Sequence, residues 1–110
     1  MLDHSCVQYK AGGSYRRHID DRPGLSLGAG TVRRAFSILL YLTPDDWQDA
    51  DGGALRVHSH PAMLDPATFD VMPTAGTLIV FESASVPHEV LETRRERVVL
   101  AGWLQEEARA

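Results

Sequence analysis

Disulfide chemistry is excluded at the outset, because Cys6 is the only cysteine in the chain. A lone thiol of this kind is expected to be buried or half-buried in a reducing compartment, which points to the cytoplasm. Long apolar runs are missing too. No stretch approaches the roughly 18 residues needed to cross a bilayer, and residues 1–10 lack the basic and apolar segments of a secretory signal, so no membrane partner is expected. Positive charge is in deficit: 11 Lys and Arg face 15 Asp and Glu, for a net charge of −4, which argues against a nucleic-acid binder. There is no repeat and no low-complexity linker, and 110 residues fit a single domain, 1–110. Gly52-Gly53 lacks the helix and lysine of a phosphate loop and reads as a turn. Asp45, Asp46, Asp49 and Asp51 lack calcium-loop spacing and read as a solvated acidic loop.

What is present is a series of short β-prone runs separated by turn residues. Residues 7–9 read as a strand, 11–13 as a turn and 15–20 as a second strand. The clearest strand is 33–42, with Ala35, Ser37, Leu39 and Tyr41 on one face and Phe36, Ile38, Leu40 and Leu42 on the other, both faces at least partly buried. Trp47 follows two aspartates in a turn and reads as a packing anchor. Further strands are expected at 54–58, 76–81, 87–91 and 97–104, around a loop-rich 59–75; only 105–110 reads as helix. About seven or eight short strands at even spacing predict an all-β fold, a double-stranded β-helix or cupin-like jelly roll with a minimal core and little helix.

Chemistry enters with His18, Asp20 and His88, an H-x-D…H set. Residues at i and i+2 of a strand share a face, so His18 and Asp20 can reach one ion, with His88 arriving from a distant strand. Two imidazoles and a carboxylate that leave three octahedral positions open suit non-haem Fe(II) chemistry with O2. A hairpin turning near Thr93-Arg94 would pair 88 with 99 and 90 with 97, and would turn Arg97 into the same cavity. A buried cation needs an anion, so an inward Arg97 implies an acidic ligand, with Tyr41 placed to supply a second hydrogen bond. The segment 21–32 holds four Gly and Pro residues and is expected to be a mobile loop at the mouth. His58 and His60, with His4, form no comparable set and read as surface histidines.

The runs Y-K-A-G-G-S-Y-R-R-H-I-D at 9–20, S-I-L-L-Y-L-T-P-D-D-W at 37–47, D-G-G-A-L-R-V at 51–57, P-T-A-G-T-L-I-V-F at 73–81 and P-H-E-V-L at 87–91, followed by Arg97 and Trp103, carry a likeness that spans nearly the whole chain. In this order they resemble the prolyl 4-hydroxylase-like 2-oxoglutarate/Fe(II) dioxygenases. The H-E-V after proline and the nine-residue step to arginine look nearest to the hypoxia-sensing type of prolyl hydroxylase, where collagen-type enzymes place a lysine.

The resemblance implies iron ligation by His18, Asp20 and His88, and binding of the 2-oxoglutarate C5 carboxylate by Arg97 and Tyr41. Tyr9 and Leu55 would line the cosubstrate pocket; Tyr15 and Trp103 match aromatic positions near the site, and Arg34 a position at the substrate mouth. At Ala101 the family pattern carries a small polar residue. The implied activity hydroxylates a prolyl or other residue of a peptide or protein, with O2, and converts 2-oxoglutarate to succinate and CO2, with ascorbate supporting the iron. Two rivals stay open: a hydroxylase of a free amino acid or other small molecule, and a non-catalytic cupin-like binding module. Family members also have helices and an extra strand ahead of the first ligand strand. Only 17 residues precede His18 here, so the face carrying Phe36, Ile38 and Leu40 is expected to want cover, in a homodimer or from a partner segment.

Overall fold

Alternation of apolar and polar side chains along the strands decides the architecture, because each strand must turn its apolar row toward another sheet. The computed structural model describes residues 2–20, 25–27, 30–58 and 68–107. Among them the strands, in chain order, are β1 (Leu2–Tyr9), β2 (Tyr15–His18), β3 (Leu25–Leu27), β4 (Gly30–Tyr41), β5 (Leu55–His58), β6 (Thr68–Val71), β7 (Leu78–Glu82), β8 (His88–Val90) and β9 (Arg97–Glu107). Antiparallel pairing sorts them into two sheets. The larger runs β1-β9-β4, with β3 and β7 both paired to the far side of β4; the smaller runs β2-β8-β5-β6. Apart from the hairpins β3-β4 and β5-β6, each strand is followed by one in the other sheet, and the two sheets face one another as the jelly roll expected from the sequence.

Leu55, Val57 and Val90 of the smaller sheet form the buried centre, and Tyr9, Leu39, Val71, Ile79 and Val86 pack against them. One end of the sandwich is sewn shut by backbone hydrogen bonds. Gly12 N–H donates to Thr93 O (2.7 Å), Thr93 N–H to Gly13 O (3.0 Å) and Gly53 N–H to Glu92 O (3.0 Å). Gly52 is required at this seam: its φ is +70°, and a Cβ would stand 2.4 Å from the Glu92 carbonyl oxygen. Arg95 reinforces the closure by pairing with Asp46 and Asp51, both at 3.0 Å, beside the Trp47 ring. Trp47 is the anchor that the sequence suggests, but Asp46 and Asp51 are ion-paired rather than merely solvated.

Several local expectations are corrected. β8 and β9 do not form a hairpin: β8 pairs with β2 and β5, β9 with β1 and β4, so neither the 88–99 nor the 90–97 pairing exists. The helix expected at 105–110 is strand as far as Glu107, because Gln105 and Glu106 pair with Arg34 and Arg33 of β4, and pairing overrides local helix preference. Within the expected loop 21–32, residues 25–27 pair with 30–32; residues 21–24 and 28–29 lie outside the described residues. Cys6 is exposed, since it sits on the outer face of β1 opposite Leu100. That outer face is apolar: Phe36 (42% exposed), Leu78 (60%), Val80 (55%) and Leu104 (42%) surround the half-buried Ile38 and Leu40. No helix among the described residues is long and apolar enough to cross a membrane.

Candidate metal centre and cavity

Register in the smaller sheet brings the two histidines together. β2 and β8 pair so that His18 lies opposite His88, with ring centroids 4.3 Å apart. Asp20 stands two residues beyond β2 rather than within a strand, and is fixed there by its own N–H, which donates to Ser83 O at 3.0 Å. His18 Nδ1 donates to the Arg16 carbonyl (2.8 Å) and His88 Nδ1 to the Val86 carbonyl (3.0 Å). A carbonyl can only accept, so each Nδ1 carries a proton and each Nε2 is the nitrogen turned inward, able to share a proton with Asp20 or to offer its lone pair to a cation. Both Nε2 atoms point at Asp20 Oδ1, at 3.2 and 3.4 Å. The other carboxylate oxygen, Oδ2, is held from behind by Ser37 Oγ (2.6 Å) and Trp103 Nε1 (3.2 Å).

Three ligand atoms of the right types thus converge within 4.8 Å of one another. Burial opposes ionisation of Asp20, but hydrogen bonds from His88, Ser37 and Trp103 outweigh it and hold the carboxyl well below the ordinary carboxylate range. For His88, burial favours the neutral ring, yet the hydrogen bond to Asp20 and the bond to the Val86 carbonyl leave its pKa raised. Without an ion, the carboxylate holds charge that only a cation or a shared proton relieves. Imidazole Nε2 pairs with a back-bonded carboxylate fit Fe(II), and Nδ1 groups tied to backbone carbonyls are the outer supports that such sites use.

A cavity of about 330 Å3 opens from these residues into the sandwich. Tyr9, Leu55, Val90 and Val99 line it, together with the buried Arg97. Arg97 is 2% exposed; its Nε donates to Gly53 O (2.8 Å) and its Nη2 to Tyr41 Oη (3.1 Å). Arg33, Arg56 and Arg95 sit in ion pairs, whereas Arg97 meets no carboxylate among the described residues. Burial lowers its pKa, and the nearby Tyr41 and Tyr9 offset this only in part. Tyr41 is fully buried and is not itself a cavity-lining residue. Its hydroxyl accepts from Arg97, which leaves its own proton free to donate, and burial raises its pKa.

Two β-bulges build the mouth. Between Tyr15 and His18 the β2 chain spends three steps against two on β8, and between Arg34 and Phe36 β4 spends two against one on β9. Each extra residue switches the parity, so Tyr15 joins His18, and Arg34 joins Leu39, in facing the cavity. Tyr15 packs on His18 at 4.3 Å between centroids, and the Arg34 guanidinium lies 3.9 Å over the Trp103 ring. Every site residue expected from the sequence therefore lies in or against one cavity. Ala101 lines its wall. His58 is not a free surface histidine: its Nε2 meets Glu89 Oε2 at 3.2 Å on the outer side of the smaller sheet, away from the cavity. His60 lies outside the described residues. Ser37 and Ser83 were missed as supports of Asp20, although a small polar residue in the apolar run S-I-L-L-Y was a usable signal.

Residues 4–105 match the sequence profile of the 2OG-Fe(II) oxygenase superfamily, which covers nearly the whole chain. The chain belongs to that superfamily. A PKHD-type hydroxylase of Hyphomonas neptunium is 30% identical over 94 residues, 86% of this chain and 38% of the relative. Among solved structures, a prolyl-4-hydroxylase of Pseudomonas putida superposes with a TM-score of 0.76 at 40% identity, over 96% of this chain and 52% of that one. A prolyl hydroxylase from Trichoplax adhaerens, in complex with a hypoxia inducible factor peptide fragment, gives 0.70 at 27% identity, over 91% and 41%. The chain thus spans about half or less of the length of these relatives. The resemblance to prolyl 4-hydroxylases seen in the sequence is borne out at the level of fold and family.

Proposed function

We propose that the chain is the core of an Fe(II)- and 2-oxoglutarate-dependent hydroxylase acting on a prolyl residue of a peptide or protein. One observation carries this reading: a single cavity is lined both by a His-Asp-His donor set and by a buried arginine that meets no carboxylate among the described residues. His18 Nε2, Asp20 Oδ1 and His88 Nε2 would hold Fe(II). Arg97, with the free proton of Tyr41, would bind the distal carboxylate of 2-oxoglutarate, because a guanidinium desolvated to this extent gains most from a bidentate anion. Leu55 and Tyr9 would flank its methylene chain.

When bound, iron and 2-oxoglutarate together supply the oxidation, in which the keto acid and O2 give succinate, CO2 and one oxygen atom for a substrate C–H bond. The chain's own residues position and shield. Ser37 and Trp103 hold the far oxygen of Asp20, while Val90, Val99 and Leu55 keep water from the cosubstrate. At the mouth Tyr15 (49% exposed), Ile19 (44%) and Arg34 offer an open apolar rim with one cation, which favours an extended peptide over a fully enclosed metabolite. The fully formed donor set supports turnover over a purely binding module. The same reading includes ascorbate-supported iron, a cytoplasmic setting and pairing of two copies through the outer face of the larger sheet.

The test is succinate release by the Fe(II)-loaded chain with 2-oxoglutarate and O2. Proline-containing peptides are expected to stimulate it and to gain 16 mass units, roughly one oxygen atom. Stimulation by free amino acids alone would favour a small-molecule hydroxylase. Iron and 2-oxoglutarate binding without succinate under any of these conditions would leave the binding module.

A further inference from the structure

We infer that Ser37 and Ser83 are positioning residues for Asp20, forming a buried two-hydroxyl relay that confines its carboxylate to donating through Oδ1 alone. The inference rests on the proposed iron site. Both serines are fully buried, and a buried hydroxyl is costly unless its proton has somewhere to go. The direction of the relay follows from valence. Asp20 Oδ2, ionised, can only accept, so the Ser37 proton lies in the 2.6 Å bond to it. Ser37 Oγ then has no proton left for Ser83 Oγ, 2.9 Å away, and must accept from it. Protons therefore point one way, from Ser83 to Ser37 to Asp20.

Ser83 also grips the ligand through its backbone. Its carbonyl accepts from Asp20 N–H (3.0 Å) and its N–H donates to Ala35 O of β4 (3.1 Å). One residue beyond β7 thus fixes both ends of Asp20, the main chain directly and the carboxylate through Ser37. Trp103 Nε1 adds a second donor to Oδ2, which leaves that oxygen little capacity to approach a cation. Without the relay, the carboxylate is free to turn and offer both oxygens to an ion, closing a coordination position that a cosubstrate or O2 needs.

Co(II) is a redox-stable stand-in for Fe(II), and its visible d–d bands report coordination number, so the test needs no turnover. The whole chain is titrated with Co(II), and affinity and spectrum are read for the native protein, Ser37→Ala, Ser37→Thr and Ser83→Ala. Ser37→Ala is expected to bind Co(II) about 10- to 100-fold more weakly with an altered spectrum, by analogy with other outer-shell losses. Ser37→Thr keeps the hydroxyl and is expected to restore both; Ser83→Ala should lower affinity by a smaller factor. Native affinity and spectrum in Ser37→Ala would overturn the relay, as would a threonine as impaired as alanine, or a loss of thermal stability with Co(II) binding untouched. If Ser37→Ala does not fold, Ser83→Ala decides in the same way. A native chain that takes up no Co(II) would overturn the iron reading and the relay with it, whereas native binding beside an indifferent Ser37→Ala overturns the relay alone.

Discussion

Replacing Arg97 with methionine should separate binding from stability, because the two respond to different extents. In the free protein Arg97 is a cation at 2% exposure whose hydrogen-bond partners are a backbone carbonyl and a phenol, both neutral. Stripping water from such an ion costs several kcal/mol, and two hydrogen bonds from a charged donor return about 1.5–3 kcal/mol each. The terms nearly cancel, so Arg97→Met, which fills much of the volume, should leave the ligand-free protein within about 2 kcal/mol of native stability. The cosubstrate tells a different story. Losing a buried charge pair removes about 2–5 kcal/mol, or about 30-fold to several thousandfold in affinity. The assay is thermal unfolding with Mn(II), which does not turn over, across a series of 2-oxoglutarate concentrations. At about 100 times the dissociation constant the native chain should gain about 2.7 kcal/mol, and Arg97→Met at the same concentration about 0.9 kcal/mol or less. An equal 2-oxoglutarate-dependent shift in both proteins would remove Arg97 from the cosubstrate site.

The double variant His18→Ala/Asp20→Ala should bind no stoichiometric iron, since one imidazole is left; metal analysis showing one ion per chain would refute the ligand assignment. Gly52→Ala should cost about 3 kcal/mol or more in denaturant unfolding, because positive φ and the Glu92 carbonyl both oppose a Cβ, while Gly12→Ala, with positive φ but open space around it, should cost only about 1–2 kcal/mol. Equal losses would mean that the seam can give way. Light scattering of the native chain should show concentration-dependent association through the outer face of the larger sheet, and Val80→Lys should abolish it. A native chain that stays monomeric at high concentration would rule that contact out.

Much of the site was legible because metal ligation restricts residue types and strand geometry restricts spacing. His18, Asp20 and His88 are legible in the sequence, and so is an inward Arg97, although not through the hairpin that its spacing suggests. The nine-residue step from His88 to Arg97 reads as a hairpin, but the chain crosses from one sheet to the other at the Thr93 seam. Arg97 faces inward because Val99 and Ala101 share its row and must be buried, whichever strand lies alongside. Local preference misled at the C-terminal end, where Gln105-Glu106-Glu107 suits a helix in isolation. The partners that override it, Arg33 and Arg34, lie some 70 residues away, with Arg33 ion-paired to Glu106.

The mouth of the cavity shows where period-2 reasoning fails for a physical cause. Tyr15 and His18, like Arg34 and Ser37, are separated by odd steps, so regular strands would send one member of each pair to the outer face. Both pairs nonetheless meet inside, because each strand carries one extra residue between them. A bulge leaves no sharp mark in composition; Arg16-Arg17 and Ala35 look like ordinary strand residues. Its effect is confined to the rim: His18, His88 and Arg97 keep regular strand pairing, while Tyr15 and Arg34 are turned toward the mouth of the cavity. The deep end of the cavity is thus set by the alternation that folds the sheets, and the rim by departures from it. In this chain the proposed metal ligands and Arg97 are readable from spacing, and the residues proposed to meet the substrate are the ones displaced from it.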